Sequence, residues 1–557
     1  MKRKLLAVIC SVVMAMTMCV GVAWAETTTS YKAYQVFSGT WSEGTLSDIQ
    51  WGEGVNGTAL QTELATLPEF SDKTSAAEIA EVLDANQAMD NAVAKKFADV
   101  AAKYVKSDKG IATSINAADD PNKGNIEFTA PAAGYYLIMN DSVASDDSKT
   151  RIIVQAHNAG DLVSVSPKKS VPELIKKVKE NNHSVTPGTN IGDGYNDVAD
   201  YCIGDDVPFE LIGTLPSTFD DYKTYKYTFH DKLSAGLTLN EGSIKVYIMN
   251  DTTSVPDLEG EDANTPVDAA EYDVVNTGMT DDCSFEIKFN DLQKESLGVT
   301  KDSRIFVYYT AKLGQGAVIG SDGNTNEATL EFSNNPNSGG EGDTGTTPPD
   351  KVVVFTFELD VHKYNGEDAE KANLAGATFR IWADADKAKA VKITQKDNVY
   401  YYAGTEDVSA ESLAGYTANQ FSTTSTGVIE IRGLDSGEYW LEETAAPDGF
   451  NKLTEMIHLK VEAATVNNQN WTGEEASDAL TALTITAVND TDPSNSAITS
   501  EDPTDGKVQA DVENNAGSVL PSTGGIGTTI FYVVGACLVV IAGVALVAKR
   551  RAAARRK

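Results

Sequence analysis

Two lysines in this chain stand where strand alternation would bury them. In Pro172-Glu173-Leu174-Ile175-Lys176-Lys177-Val178 a period of two puts Leu174, Lys176 and Val178 on one face. In Asn324-Thr325-Asn326-Glu327-Ala328-Thr329-Leu330-Glu331-Phe332 the same period groups Asn326 with Ala328, Leu330 and Phe332. A lysine and an asparagine then point into one apolar core, where each is expensive to bury unpaired. Leu359-Asp360-Val361-His362-Lys363 repeats the pattern, with Lys363 on the face of Leu359 and Val361. Chemistry can remove both polar ends. An apolar site lowers the lysine pKa towards a neutral amine, while a buried carboxyl stays protonated and polarises the asparagine carbonyl. Attack on the amide with loss of ammonia leaves an isopeptide bond.

Little else in the chain could do chemistry. The five histidines, His157, His183, His230, His362 and His458, show no ligand spacing, so no metal or other cofactor is expected. No nucleophile–base pair or phosphate loop stands out, which argues against a secreted enzyme. The 557 residues carry 81 Asp+Glu against 45 Lys+Arg, a net charge of −36, and so lack the clustered cations that nucleic acid requires. Hydrophobic residues at 41% leave room for several cores, roughly three to five domains at this length.

The basic residues gather at the two ends. Met1–Lys4 is positive, Leu5–Val22 is apolar and Ala23-Trp24-Ala25 is a small-x-small cleavage site, so 1–25 reads as a secretory signal peptide. At the other end, 526–548 has no charge and the length of a membrane span, and 549–557 is a basic cytoplasmic tail. Just before the span stands Leu520-Pro521-Ser522-Thr523-Gly524. Pentapeptide, apolar helix and basic tail together resemble the Leu-Pro-x-Thr-Gly sorting signal of Gram-positive surface proteins. That resemblance implies cleavage between Thr523 and Gly524 by a sortase, and transfer of the Thr523 carbonyl to an amine on the cell surface. Only Cys202 and Cys283 lie outside these terminal segments, and in an oxidising compartment a disulfide between them is expected as one outcome.

Between the ends the pattern is mostly strand. Residues 26–166 are β-rich with a helical insertion, since Ile79, Val82, Leu83, Val93, Phe97 and Val100 recur at helical spacing across 75–105. Residues 171–337 show short alternating strands between turn residues, the pattern of an all-β sandwich. A Gly/Thr/Pro-rich linker is expected over 338–350, and a third β-rich module over 351–517.

The second module resembles the isopeptide-forming fimbrial D2 domains, which implies a bond between Lys176 and Asn326. The resemblance also implies Asp231, in Phe229-His230-Asp231-Lys232-Leu233, as the promoting carboxyl. In the third module, Tyr439-Trp440-Leu441-Glu442-Glu443-Thr444-Ala445-Ala446-Pro447-Asp448-Gly449-Phe450 resembles the glutamate box of collagen-adhesin B-type pilin domains. That implies Glu443 as carboxyl and Asn514 as partner of Lys363, with Asn515 and Asn489 as alternatives. The partners of each pair lie 150 and 151 residues apart. Ser166-Pro167-Lys168-Lys169, at the 167–170 linker, resembles the pilin motif Tyr-Pro-Lys-Asn, whose lysine accepts the next subunit. Lys168 is the implied acceptor. Ser166 and Lys169 depart from the motif, which keeps Lys169 as an alternative.

The resemblance as a whole is to the sortase-assembled pilus backbone. It implies a mainly β fold of tandem immunoglobulin-like sandwiches and a structural subunit anchored at the cell wall. Its partners would be other copies of itself, a pilus-specific sortase, cell-wall peptidoglycan, and tip and base pilins. The rival reading is a wall-anchored adhesin that binds a host ligand and never polymerises.

Overall fold

The computed structural model describes residues 29–516 except 43, 87–90, 117–124, 143–146, 166–169, 182–193, 259–262, 337–342, 398, 467–470, 489, 491–496 and 502–503. The signal peptide, Lys168 and Lys169, Leu520–Gly524, the span and the tail therefore lie outside the described residues.

The fold is mainly β. In the first module, strand Ser30–Ser42 runs between Thr45–Trp51 and Gly134–Ser142, and Arg151–Ala156 extends the sheet. Helices Gly57–Leu64, Ala76–Asp84 and Ala92–Lys103 cover one face, packing Leu60, Ile79 and Phe97 on Val36 and Phe37. A small sheet of Ser114–Asn116, Asn125–Thr129 and Leu162–Val165 contributes Ile126 and Phe128 to a core on Tyr31 and Tyr136. Where the apolar spacing suggests one helix over 75–105, the structure has two. Asn91 starts the second by accepting from the Val93 amide, so the chain re-nucleates there.

The middle module is a two-sheet sandwich. One sheet holds Leu174–Lys179, Asp206–Gly213 and Arg304–Leu313. The other holds Phe285–Phe289, Tyr227–Leu233, Asn324–Ser333 and Asp350–Phe355 side by side. Inward residues alternate as the period-two reading requires, with Val178 on one sheet and Ala328, Leu330 and Phe332 on the other.

In the third module, Phe357–Asn365 pairs antiparallel with Val428–Leu434 and parallel with Lys507–Asn514. Its sheet of eleven strands curls around a main core, bringing Lys507–Asn514 near Leu480–Ala487.

The expected linker over 338–350 is partly strand. Thr344–Thr346 pairs with Asn324–Ser333, and Asp350 opens a strand buried on both faces. Val352 and Val354 enter the middle core, whereas Val353 and Phe355 enter that of the third module. An unbroken apolar run of this kind suits a strand with no solvent face. Nearby, Gly320 (φ 96°) and Gly506 (φ 64°) bring the two modules so close that a Cβ on Gly506 would collide with the Gly320 Cα.

Cys202 and Cys283 do not form the expected disulfide; both are free. Cys202 follows strand Val198–Asp200, which is four strand steps across the sheet from the Phe285–Phe289 strand that Cys283 precedes. At ~4.8 Å per step this is roughly 19 Å, against the ~7 Å limit between bridged Cα atoms.

Candidate functional site

Each of the last two modules buries a lysine, a carboxyl side chain and an asparagine. In the middle module Lys176, Asp231 and Asn326 are all 0% exposed. Lys176 comes from one sheet, while Asp231 and Asn326 come from neighbouring strands of the other, Asp231 opposite Ala328 and Asn326 opposite Leu233. Lys176 Nζ donates to Asp231 Oδ2 at 2.6 Å and to the Tyr309 hydroxyl at 2.7 Å. That hydroxyl donates to Asp231 Oδ2 at 2.6 Å and accepts from Asn326 Nδ2 at 2.8 Å. Asp231 Oδ1 and Asn326 Oδ1 have no hydrogen-bond partner among the described residues.

Burial sets the protonation of this group. It pushes the Lys176 amine down, against the pull of Asp231, and pushes the Asp231 carboxyl up, against the pull of Lys176. Both shifts favour a neutral amine facing a protonated acid. Phe209 stacks on Tyr309 with centroids 5.3 Å apart and Phe285 meets it edge-on at 5.1 Å, closing the site to water.

The third module reaches the same composition by a different route. Lys363 and Val512 are paired on adjacent parallel strands, so Asn514, two residues further on, shares the inward face. Lys363 is 0% exposed, and Asn514 and Glu443 are 1% exposed. Lys363 Nζ donates to the Val512 carbonyl at 2.9 Å. Asn514 Nδ2 donates to Glu443 Oε1 at 2.9 Å, and the Leu453 amide holds Glu443 Oε2 at 2.7 Å. Burial pushes the Lys363 amine down to about 8, partly offset by Glu443. Asn514 Oδ1 has no hydrogen-bond partner among the described residues. Of the alternatives, Asn515 is exposed and Asn489 lies outside the described residues.

Both groups hold what amide aminolysis needs: a deprotonatable amine, a carboxyl group and a carboxamide in one buried place. The sequence reading misses Tyr309. Its signal is present, because Ile305, Val307, Tyr309, Ala311 and Leu313 alternate into the core and a buried tyrosine needs a partner for its hydroxyl.

Residues 358–475 match the SpaA family, a prealbumin-like fold domain, and residues 512–553 match the LPXTG cell wall anchor motif. The first match contains Lys363 and Glu443, and the second contains Asn514 and Leu520–Gly524. The chain is 24% identical over 413 residues to the trypsin-resistant surface T6 protein of Streptococcus pyogenes serotype M6, covering 69% of this chain and 70% of that protein. The solved structure of the T6 backbone pilin of serotype M6 Streptococcus pyogenes aligns with a TM-score of 0.46 at 18% identity, over 89% of this chain and 97% of that one. Full-length major pilin SpaD of Corynebacterium diphtheriae aligns with a TM-score of 0.45 at 14% identity, over 91% of this chain and 95% of that one. The chain is thus similar over most of its length to the surface T6 protein, and it carries a prealbumin-like domain of the SpaA family ahead of an LPXTG cell wall anchor motif.

Proposed function

We propose that the chain is the shaft subunit of a covalent surface pilus, joined head to tail by a sortase through Thr523 of one copy and Lys168 of the next. Two intramolecular Lys–Asn bonds, Lys176–Asn326 and Lys363–Asn514, stiffen each subunit. The observation that carries this reading is the pair of buried lysine, carboxyl and asparagine groups, each linking an early strand of its module to a late one. A shaft under tension gains from such links, because force then runs through covalent bonds.

The arrangement described above is that of the reactants. The neutral Lys176 amine attacks Asn326 Cγ while the Asp231 acid donates a hydrogen bond to the carbonyl oxygen, forming a tetrahedral intermediate. The nitrogen of Lys176 then gives up a proton, the C–Nδ2 bond breaks and Nδ2 departs with that proton as ammonia. In the third module Lys363 is the amine and Asn514 the amide, and the Glu443 carboxyl group holds the amide in place through Asn514 Nδ2. Each crosslink closes about 150 residues, which by the loop-entropy estimate for disulfides removes roughly 5 kcal/mol of denatured-state freedom. The chain catalyses this once on itself and turns over no substrate.

Two measurements test the proposal. With both bonds formed, the intact mass lies about 34 Da below that summed from the residues, one ammonia per bond; a mass equal to the sum removes the crosslinks. An immunoblot of detergent-boiled cell-wall extract gives a ladder of high-mass bands that collapses to monomer in Lys168→Ala. A ladder that persists moves the acceptor to Lys169 or elsewhere, and a wild-type monomer band alone favours the adhesin.

A further inference from the structure

Behind Asp231, on the outward face of the same strands, lies a set of donor atoms that crosslinking does not use. Alternation sends Phe229 and Asp231 inward and leaves His230 outside; on the neighbouring strand Phe285 and Ile287 point inward and Glu286 lies outside. Strand register sets His230 directly opposite Glu286. The chain before that strand turns at Asp282, whose φ of 61° is left-handed, and carries Asp281 and Cys283 to the same place.

One donor atom from each of His230, Asp281, Cys283 and Glu286 falls within a group no more than 4.8 Å across. His230 Nδ1 is 2.6 Å from Asp281 Oδ2 and 3.5 Å from Glu286 Oε1. Glu331 Oε2 stands 3.6 Å from the other ring nitrogen, and Lys288 Nζ lies 3.2 Å from Glu286 Oε2. The Asp281 side chain is 42% exposed, so a solute has access, whereas His230 at 16% and Glu286 at 12% are held by the sheet.

We propose that this cluster binds one divalent transition cation of the Zn2+ class through His230 Nδ1, Asp281, Cys283 Sγ and Glu286. One nitrogen, one sulfur and two carboxylate oxygens make a tetrahedral set for such an ion, at ~2.0–2.3 Å per bond. Ca2+ and Mg2+ prefer all-oxygen shells and are disfavoured by the thiolate and imidazole. The contraction required falls on the loop carrying Asp281 and Cys283, since the strand pair is already in register. Glu331 then holds the ring from the far side, as carboxylates behind metal-bound histidines do. Cys283 is available because it forms no disulfide. On binding, its S–H proton passes to solvent and the thiolate, with Asp281 and Glu286, offsets the charge of the ion. The ion would tie two strands and a loop together on the back of the sheet that carries Asp231.

Cobalt(II) is the probe. Untagged full-length chain in detergent, reduced, stripped with chelator and titrated with Co2+, is expected to bind about one equivalent with a thiolate-to-metal charge-transfer band and the intense visible bands of tetrahedral Co2+. Zn2+ should bleach both. Cys283→Ser should abolish the charge-transfer band and His230→Ala should weaken binding by more than about tenfold. Both side chains point outward, so each variant should retain the wild-type circular dichroism and intact-mass deficit, which reports folding separately. Wild-type chain without a thiolate band, or Cys283→Ser chain that keeps one, overturns the site. Either result leaves the pilus proposal untouched.

Discussion

Replacing Tyr309 by phenylalanine removes one oxygen from the middle site and leaves the ring between Phe209 and Phe285. That oxygen holds three reacting groups at once, Lys176 Nζ at 2.7 Å, Asp231 Oδ2 at 2.6 Å and Asn326 Nδ2 at 2.8 Å. Without it the Asn326 amide loses its partner inside a dry core, and Lys176 keeps only Asp231. A buried polar group left unpaired costs about 1–3 kcal/mol, so the unlinked chain should be destabilised by about that amount through Asn326. The same contacts position amine and amide for attack. Loss of one preorganised donor at a reacting centre typically costs about 2.7–4 kcal/mol, a slowing of 10²–10³-fold. The assay is a time course of intact mass after refolding of the full-length chain, with the Lys176–Asn326 linkage followed in a peptide digest. The variant should still reach the mass of the single-bond product through Lys363 and Asn514, which shows that it has folded. Formation of the middle bond at the wild-type rate would refute the role given to the hydroxyl and leave Tyr309 as filling alone. A wild-type chain with no linkage would instead refute the crosslink itself.

The other site responds to different perturbations. Glu443→Gln should stop the Lys363–Asn514 bond and add back about 17 Da to the mass after the substitution itself is allowed for, and Asn514→Ala should do so where Asn515→Ala does not; peptide mapping decides between the two asparagines. Because burial lowers the Lys363 amine to about 8, its proton must leave before it can attack. In a Lys176→Ala chain the rate of the remaining bond should therefore rise about tenfold per pH unit up to about pH 8 and level off above it; a rate that falls across pH 6–8 would contradict the nucleophile assignment. Unfolded full-length chain, never exposed to reductant, should take up alkylating reagent at both Cys202 and Cys283; a doubly blocked chain would mean that the two thiols are bonded.

Much of the chemistry was legible because a polar residue in an apolar row is conspicuous. Lys176 beside Leu174 and Val178, Asn326 beside Ala328 and Leu330, and Asn514 beside Ala510 and Val512 all break the alternation of their strands. Tyr309 does not break it, since an aromatic at an inward position looks like any other core residue until its hydroxyl is placed. The boundary near 350 was hidden by composition. A Gly/Thr/Pro-rich stretch reads as a linker, yet Val352-Val353-Val354-Phe355 right after it serves two cores, a fact that depends on which strands lie on either side. The cysteines show the same limit, because their separation is set by sheet order. So does the His230 cluster, whose histidine and cysteine are 53 residues apart in the chain and are joined only by strand pairing.

The two proposed bonds define a load path that can be measured. In the proposed shaft, tension would enter a subunit at Lys168 and leave at Thr523, 355 residues along the chain. With Lys176 joined to Asn326 and Lys363 to Asn514, the stretches between each pair are bypassed, and only the segments 168–176, 326–363 and 514–523 bear force. Those amount to about 54 residues, or roughly 190 Å fully extended at ~3.5 Å each, against roughly 1,200 Å for the unlinked chain. The first module, which ends before Lys168, would lie off this path. Single-molecule pulling with handles at positions 168 and 523 should release no more than the shorter length, however high the force. In a Lys176→Ala chain the bypass of the middle module is lost and about 150 further residues should pay out, roughly 520 Å. A wild-type trace that extends well beyond 190 Å would show that force is not carried through the crosslinks, and the reason for burying two lysines at such cost would have to be sought elsewhere.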